Sequence, residues 1–340
     1  MGSTPRVGIA CVALASFLWG AGTVVTAAIL KHGIPVGVFT VVEIGSSVVF
    51  LALALLVSRT RIPSPRKHPM LLVLGLLEPG LTYLLINAGL NRTSVVHAAL
   101  IQTTEPVIVA GLGWLLLSHH LPARVLIPML TVLAGSVAVV TAHAPNSGAT
   151  VIGDLLVAGG IISASAYALG SSRVDPDLSA LGATFVQQAA SLVLVVPVVL
   201  VPLLLHRHAS HAPSGHAVGS SHPSAWLWVA VPALGVVSTS LTFWLYLTAL
   251  RHIPPGTAAQ FLAITPVTGF VGAVVFLGET MSLQATLGAG VVIFSLVAIA
   301  RGEQKSYQEE LAAGHELHLR AHFGHHDPVG PHGEDRPPAG

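Results

Sequence analysis

Apolar and polar positions separate along this chain on the scale of whole segments. Nearly unbroken apolar runs fall at about 7–30, 35–58, 70–90, 94–117, 124–143, 151–172, 179–205, 225–250, 254–277 and 282–300. Runs of about 18 residues or more cross a hydrocarbon core of roughly 30 Å as helices. In lipid the backbone N–H and C=O groups must be satisfied within the segment, which leaves helices as the spanning element. The pattern predicts ten transmembrane helices.

The runs repeat. Thr248 to Glu279 holds a long apolar segment with Pro266 near its middle, and shifting back by 160 positions uncovers a second copy. Leu90 falls on Leu250, Ala98-Ala99 on Ala258-Ala259, Pro106-Val107 on Pro266-Val267 and Leu117 on Leu277. Upstream, Gly75 falls on Gly235, Leu81-Thr82 on Leu241-Thr242 and Tyr83 on Phe243, without a gap. Self-similarity at one offset is the mark of an internal duplication. Two copies of a five-helix unit, joined in one chain, have opposite membrane orientation because five is odd. The expected fold is therefore an all-α membrane protein with ten transmembrane helices as two inverted five-helix repeats, 7–143 and 151–301. A His-rich outer loop at 206–224 and a disordered, His-rich cytoplasmic tail at 302–340 complete the chain.

Composition agrees with that picture. Of the 340 residues 53% are hydrophobic and 9% charged, against about 25% charged in soluble domains; mean hydropathy is +0.77. A net charge of +1 gives no reason to expect a nucleic-acid partner. The single cysteine, Cys11, permits no intrachain disulfide. The first apolar run is longer than the roughly 7–15 residues of a signal-peptide core, so it reads as a membrane helix. Lys and Arg set the orientation. With the N-terminus inside, the inner loops hold Arg6, Arg59, Arg61, Arg66, Lys67, Arg124, Arg173, Arg251, Arg301 and Lys305, and the outer loops only Lys31, Arg92 and Arg207. Both termini are expected to be cytoplasmic, in a multi-pass plasma-membrane protein.

Three acids, Glu43, Glu78 and Glu105, fall well inside apolar runs. An ionised carboxylate at mid-bilayer costs about 2.5–3.5 kcal/mol on insertion scales. Such groups are therefore expected to face a polar cavity, the structural alternative being a protonated Glu bonded across helices. Glu105 carries the strongest pattern. Pro106 lacks an N–H and frees the carbonyl of Gln102, and Gln102 and His97 lie on the Glu105 face of the helix at about one-turn spacing. A broken helix with an acid and freed carbonyls at mid-membrane is the way transporters line a site. Glu78-Pro79-Gly80 repeats the device in the third run. The corresponding positions in the second repeat are Ser238 and Thr265, which makes the site chemically lopsided. The expected substrate- or proton-binding residues are Glu105, Glu78, Glu43, Gln102, Trp19 and Gln260. An acidic cavity suits a cationic or zwitterionic substrate, a proton, or both in exchange. No phosphate loop, nucleotide fingerprint or nucleophile motif is present, so neither a cofactor nor enzymatic chemistry is expected. The His clusters of the loop (His206, His208, His211, His216, His222) and tail have irregular spacing and no fixed ligand set. They leave divalent-metal transport as the alternative function, with an intramembrane enzyme or a non-transporting sensor behind it.

Particular residues also carry a resemblance. Phe17-Leu18-Trp19-Gly20, Ala249-Leu250-Arg251, Ala258-Ala259, Thr265-Pro266-Val267, Leu277-Gly278-Glu279-Thr280 and Gly288 match the pattern of EamA-type members of the drug/metabolite transporter superfamily. Ala98-Ala99 and Glu105-Pro106-Val107 supply the first-repeat form. The resemblance covers about 7–301 and implies a secondary transporter, most often an exporter of small metabolites, amino acids or drugs, with a central cavity between the repeats. It implies as partners a small-molecule substrate, the lipid bilayer and coupling protons or ions; a homodimer is left open. Two departures stand out. Glu43 occupies a place where the family often has Arg, which weakens the case for an anionic substrate. Ser118-His119 stands where the family's Gly-Glu is usual, as in Gly278-Glu279. Glu279, at a helix end, is expected to brace the loop rather than touch substrate.

Overall fold

A computed structural model describes residues 4–117, 150–209 and 225–279, together with the isolated positions 131, 134, 283, 286, 287, 290 and 294. The apolar runs expected at 124–143 and 282–300, most of the outer loop and the tail lie outside the described residues.

Every regular element among the described residues is helical. α1 (Thr4–Leu30) and α2 (Val36–Ser58) are continuous. α3 (Met70–Leu90) changes to a π-helical turn over Leu76–Leu81. The fourth run is broken into α4 (Val95–Gln102) and α5 (Glu105–Leu117). In the second repeat α6 (Val151–Ser171) and α7 (Ala180–Ala209) are again continuous. α8 (Leu227–Leu250) has its own π-helical turn over Gly235–Leu241. The next run is broken into α9 (Pro255–Leu262) and α10 (Ile264–Leu277). The described residues contain seven helices long and apolar enough to cross a membrane.

The two irregularities thus recur at equivalent places, and in the first repeat each has a local cause. Glu78 leaves helical geometry (φ −144°, ψ 123°), and Pro79 supplies no N–H to the ladder. The carbonyl of Leu77 is taken up instead by the Thr82 hydroxyl (2.9 Å) and by the Ser163 hydroxyl of α6 (2.9 Å). The α4/α5 break lies at Thr103-Thr104, just ahead of Pro106, whose ring would crowd the preceding turn. Both threonines fold their hydroxyls back onto carbonyls one turn earlier, Leu100 and Ile101. A break at mid-membrane leaves buried backbone groups, and these hydroxyls satisfy them.

Among the described residues the longest helix contacts run between the repeats. α1 lies on α8, α9 and α10, while its counterpart α6 lies on α3, α4 and α5. α2 packs along α8, and α7 along α3. The closest approaches recur in the same way. A Cβ on Gly235 would sit 2.1 Å from the carbonyl oxygen of Glu43, and a Cβ on Gly75 would sit 2.1 Å from that of Gln187. Only glycine admits backbone contact at that range, so the matched glycines set two equivalent helix crossings. They also make Gln187 of α7 the structural counterpart of Glu43 of α2. Ser240 reinforces the α2–α8 crossing, donating to the Ser47 hydroxyl at 2.8 Å.

Two apolar clusters flank the middle of the bundle. One gathers Ile29, Leu30, Ile34, Leu90, Val95 and Leu227. The other gathers Val12, Leu71, Tyr167, Phe243, Tyr246 and Ile253. At the end of the first cluster Lys31 meets Glu279 (3.5 Å) and Thr150 bonds the carbonyl of Arg92. At the opposite end Arg251 donates to the carbonyl of Pro176 (3.0 Å), beside the loops holding Arg59, Arg61, Arg66, Lys67 and Arg173. Arg6 enters α1 at this same end, where Gly8 abuts His252 and Ile253. The described basic side chains therefore divide seven to two between the ends.

Candidate functional site

Between the two clusters lies a cavity of about 80 Å³. Its wall is drawn from both repeats: Trp19, Glu43, Glu78, Gln102 and Glu105 from the first, and Tyr167, Ser238, Tyr246 and Thr265 from the second. Five of the six residues expected from the sequence are on this wall. The side chain of the sixth, Gln260, lies outside the described residues.

The three acids are held differently. Glu43 is 3% exposed and sits in a cradle of donors. Its Oε2 accepts from Asn87 Nδ2 at 3.2 Å and its Oε1 from Thr239 Oγ1 at 3.4 Å. Asn87 in turn donates to Thr40 at 3.0 Å. These bonds tie α2, α3 and α8 together. Glu78 and Glu105 are partly buried and reach the cavity from the two broken runs, Glu78 at the non-helical residue of α3 and Glu105 at the start of α5. The chain break that frees backbone groups also aims a carboxylate inward, which answers the energetic demand for a polar surface around an intramembrane acid.

The second repeat supplies the opposing wall. Thr265, the counterpart of Glu105, is 4% exposed and its hydroxyl has no hydrogen-bond partner. A buried hydroxyl left unpaired costs about 1–3 kcal/mol, and the Thr265 side chain lines the cavity. Ser238, the counterpart of Glu78, approaches the carbonyl of Leu18 at 3.4 Å. Trp19 stands edge-on to Phe243 (centroids 5.1 Å) and tilted to Tyr246 (5.7 Å), and Tyr167 packs on both of those rings. This aromatic cluster closes the cavity toward the basic end of the bundle.

His97 departs from the expectation that it shares the Glu105 face. It is absent from the cavity wall; its Nδ1 lies 3.2 Å from Asp154 Oδ2, and the two are 4% and 1% exposed. Thr93 donates to the other oxygen of Asp154. Asp154 was missed as a fourth buried acid because it falls in the first turn of α6, where a carboxylate is commonplace as a partner for the helix N-terminus. The available signal was its spacing from Thr150, which caps that helix at Gly153 N.

Glu279 does brace a loop. Its two oxygens accept from the backbone N–H groups of Val95 (3.2 Å) and Val96 (3.0 Å) at the start of α4. The turn that presents it uses Gly278 in the left-handed conformation (φ 63°), the usual device for ending a helix. Trp226 and Trp228 are half exposed at the start of α8.

Comparison with known proteins follows the same outline. The model of the EamA-like transporter family matches twice, over residues 6–141 and 151–301. The chain is 23% identical over 209 residues to the uncharacterized transporter YetK of Bacillus subtilis (strain 168), covering 60% of this chain and 59% of that protein. It is 28% identical over 102 residues to the threonine/homoserine exporter RhtA of Escherichia coli (strain K12), covering 25% of this chain and 35% of that one. The matched regions thus span less than two thirds of these relatives. In shape it is similar to a solved crystal structure with TM-score 0.55 and 18% identity, over 88% of this chain and 98% of the other, a likeness of fold alone. The matched family and relatives are transporters, not enzymes.

Proposed function

The chain belongs to the EamA-like transporter family, and on that premise we propose that it is a secondary active exporter of a small metabolite at the plasma membrane. Ten helices in two inverted five-helix repeats carry it, with both termini cytoplasmic. A proton or ion gradient drives it, and Glu105 is the central acid with Glu78 as its neighbour. The observation that carries this reading is the cavity itself. Two carboxylates on broken helices of one repeat face hydroxyls and rings of the other across a space of about 80 Å³. Discontinuous helices meeting at a repeat interface are how secondary transporters bind solutes and coupling ions. The volume is well below the roughly 300–1,000 Å³ of drug-sized pockets, which favours a small substrate. Rocking of the repeats about the broken runs supplies alternating access. The seven-to-two division of basic side chains supports cytoplasmic termini, because the inner side carries the excess of Lys and Arg. The similarity to RhtA supports export as the direction.

The test is mass spectrometry of culture medium from cells expressing the wild type, Glu105→Gln, or a 206–222 deletion, at matched membrane levels. The proposal expects a solute to accumulate outside with the wild type and the loop deletion but not with Glu105→Gln. Export by Glu105→Gln at the wild-type rate removes Glu105 from the mechanism. Loss of export on deleting the loop returns the His-rich segment to consideration.

A further inference from the structure

The charge balance of the cavity wall is one-sided. Glu78 and Glu105 face it with no Lys, Arg or His among the described lining residues. The amide nitrogen of Asn87 is committed to Glu43 and Thr40. A substrate carboxylate placed here would meet two carboxyl groups and no cation among the described lining residues, and like-charge juxtaposition is strongly disfavoured in a site of low dielectric. The rest of the wall mixes threonines, aliphatic side chains and Gln102 with the rings of Trp19, Tyr83, Tyr167 and Tyr246. The Tyr167 hydroxyl donates to Gln187 at 3.3 Å and the Tyr246 hydroxyl pairs with Ser171 at 3.5 Å. Neither Gln187 nor Ser171 borders the cavity, so these tyrosines turn their polar tips away and leave their rings, with the indole of Trp19, at the wall. Rings beside carboxylates attract organic cations, whose charge is spread over alkyl groups, through the negative ring face. A bare inorganic cation instead wants oxygen ligands all around it.

We propose that the cavity takes a small organic cation, an alkylated ammonium. Its positive head lies between Glu78 and Glu105, and its alkyl groups lie on the rings of Trp19, Tyr167 and Tyr246. This rests on the transporter reading and narrows it to substrates that lack a carboxylate. Protons and the cation then compete for one pair of carboxylates, which is the condition for exchanging one against the other.

The purified full-length protein in proteoliposomes tests this with two labelled probes, tetramethylammonium and L-threonine, in counterflow. The expected result is saturable counterflow of tetramethylammonium, slowed by acidification, and none of threonine. Glu105→Gln abolishes it. Trp19→Leu raises the half-saturating concentration about tenfold, and Trp19→Phe recovers most of that loss. Counterflow of threonine without tetramethylammonium overturns the cation assignment and leaves the exporter reading standing. Tetramethylammonium counterflow indifferent to Trp19→Leu overturns the aromatic wall as its binding surface. Counterflow of neither probe, by a protein that remains monodisperse and helical, overturns the cation assignment; the medium assay then decides the exporter reading by itself.

Discussion

Glu279 and Val96 join the two repeats at one end of the bundle, the carboxylate of the first accepting the backbone N–H of the second at 3.0 Å. Val95 N–H bonds the other oxygen at 3.2 Å, so the end of α10 caps the start of α4. The residues at the equivalent positions of the other half differ. The counterpart of Val95 is Pro255, which has no N–H to cap, and the counterpart of Glu279 is His119. Pro255 thus removes one of the two donors and His119 the acid, while Gly256, the counterpart of Val96, keeps its N–H.

Removing that cap has a calculable consequence. Glu279→Ala leaves two helix-start donors without an acceptor and is expected to destabilise the protein by about 1–2 kcal/mol. Lys31→Ala removes only an exposed partner at 3.5 Å and is expected to cost less than about 0.5 kcal/mol. Thermal unfolding of both variants in detergent checks the order; equal shifts would show that the ion pair, not the cap, holds the two ends.

The buried pair of His97 and Asp154 is a different case. Both groups are almost fully enclosed, and Asp154→Ala removes an acceptor that His97 and Thr93 share. A loss of about 3 kcal/mol is expected, with transport per folded molecule unchanged because the pair is outside the cavity wall. Stability measured alongside transport normalised to folded protein tests this; a transport defect in a stable Asp154→Asn protein would move the pair into the mechanism.

Glu43 and Glu105 are expected to separate on amide substitution. Glu43 is held by Asn87 and Thr239, and its counterpart in the other repeat is already an amide, Gln187. Glu43→Gln is expected to retain export within about twofold, since a neutral hydrogen bond of about 1 kcal/mol replaces a charge-assisted one. Glu105→Gln is expected to abolish export. The medium assay described above, run on both, decides; the opposite ranking would make Glu43 the central acid.

Thr265→Val distinguishes a solute-facing hydroxyl from a structural one. The native hydroxyl has no partner, so its replacement by a methyl group is expected to leave stability unchanged or raise it by up to about 1 kcal/mol. Transport is expected to fall severalfold. A destabilised variant with normal transport would show the hydroxyl to be structural.

Gly75→Ala and Gly235→Ala both place a methyl group against a facing backbone carbonyl. Backbone cannot move aside as a side-chain tip can, so each is expected to cost about 2–3 kcal/mol and to lower membrane levels of the protein. Quantitative immunoblotting of membranes, with Gly45→Ala, which meets nothing within 4 Å, as the control, reads the difference.

The broad architecture was legible in the sequence because membrane insertion is a local matter. Each apolar run must satisfy its own backbone, so its length and composition suffice to identify a helix. A duplication is likewise written as an offset, and the paired Pro106 and Pro266 marked the runs that are broken in both repeats. The intramembrane acids were legible for the same reason, since no neighbour hides the cost of an acid in an apolar run. Packing, in contrast, couples residues that are far apart in the chain. No local pattern tells that α1 lies on α8 to α10 and α6 on α3 to α5, that Glu43 is cradled by Asn87 and Thr239 while Glu78 and Glu105 face open space, or that His97 turns from the Glu105 face toward Asp154. Those choices depend on which surfaces come within about 3 Å across a helix crossing, a distance that only the assembled bundle sets.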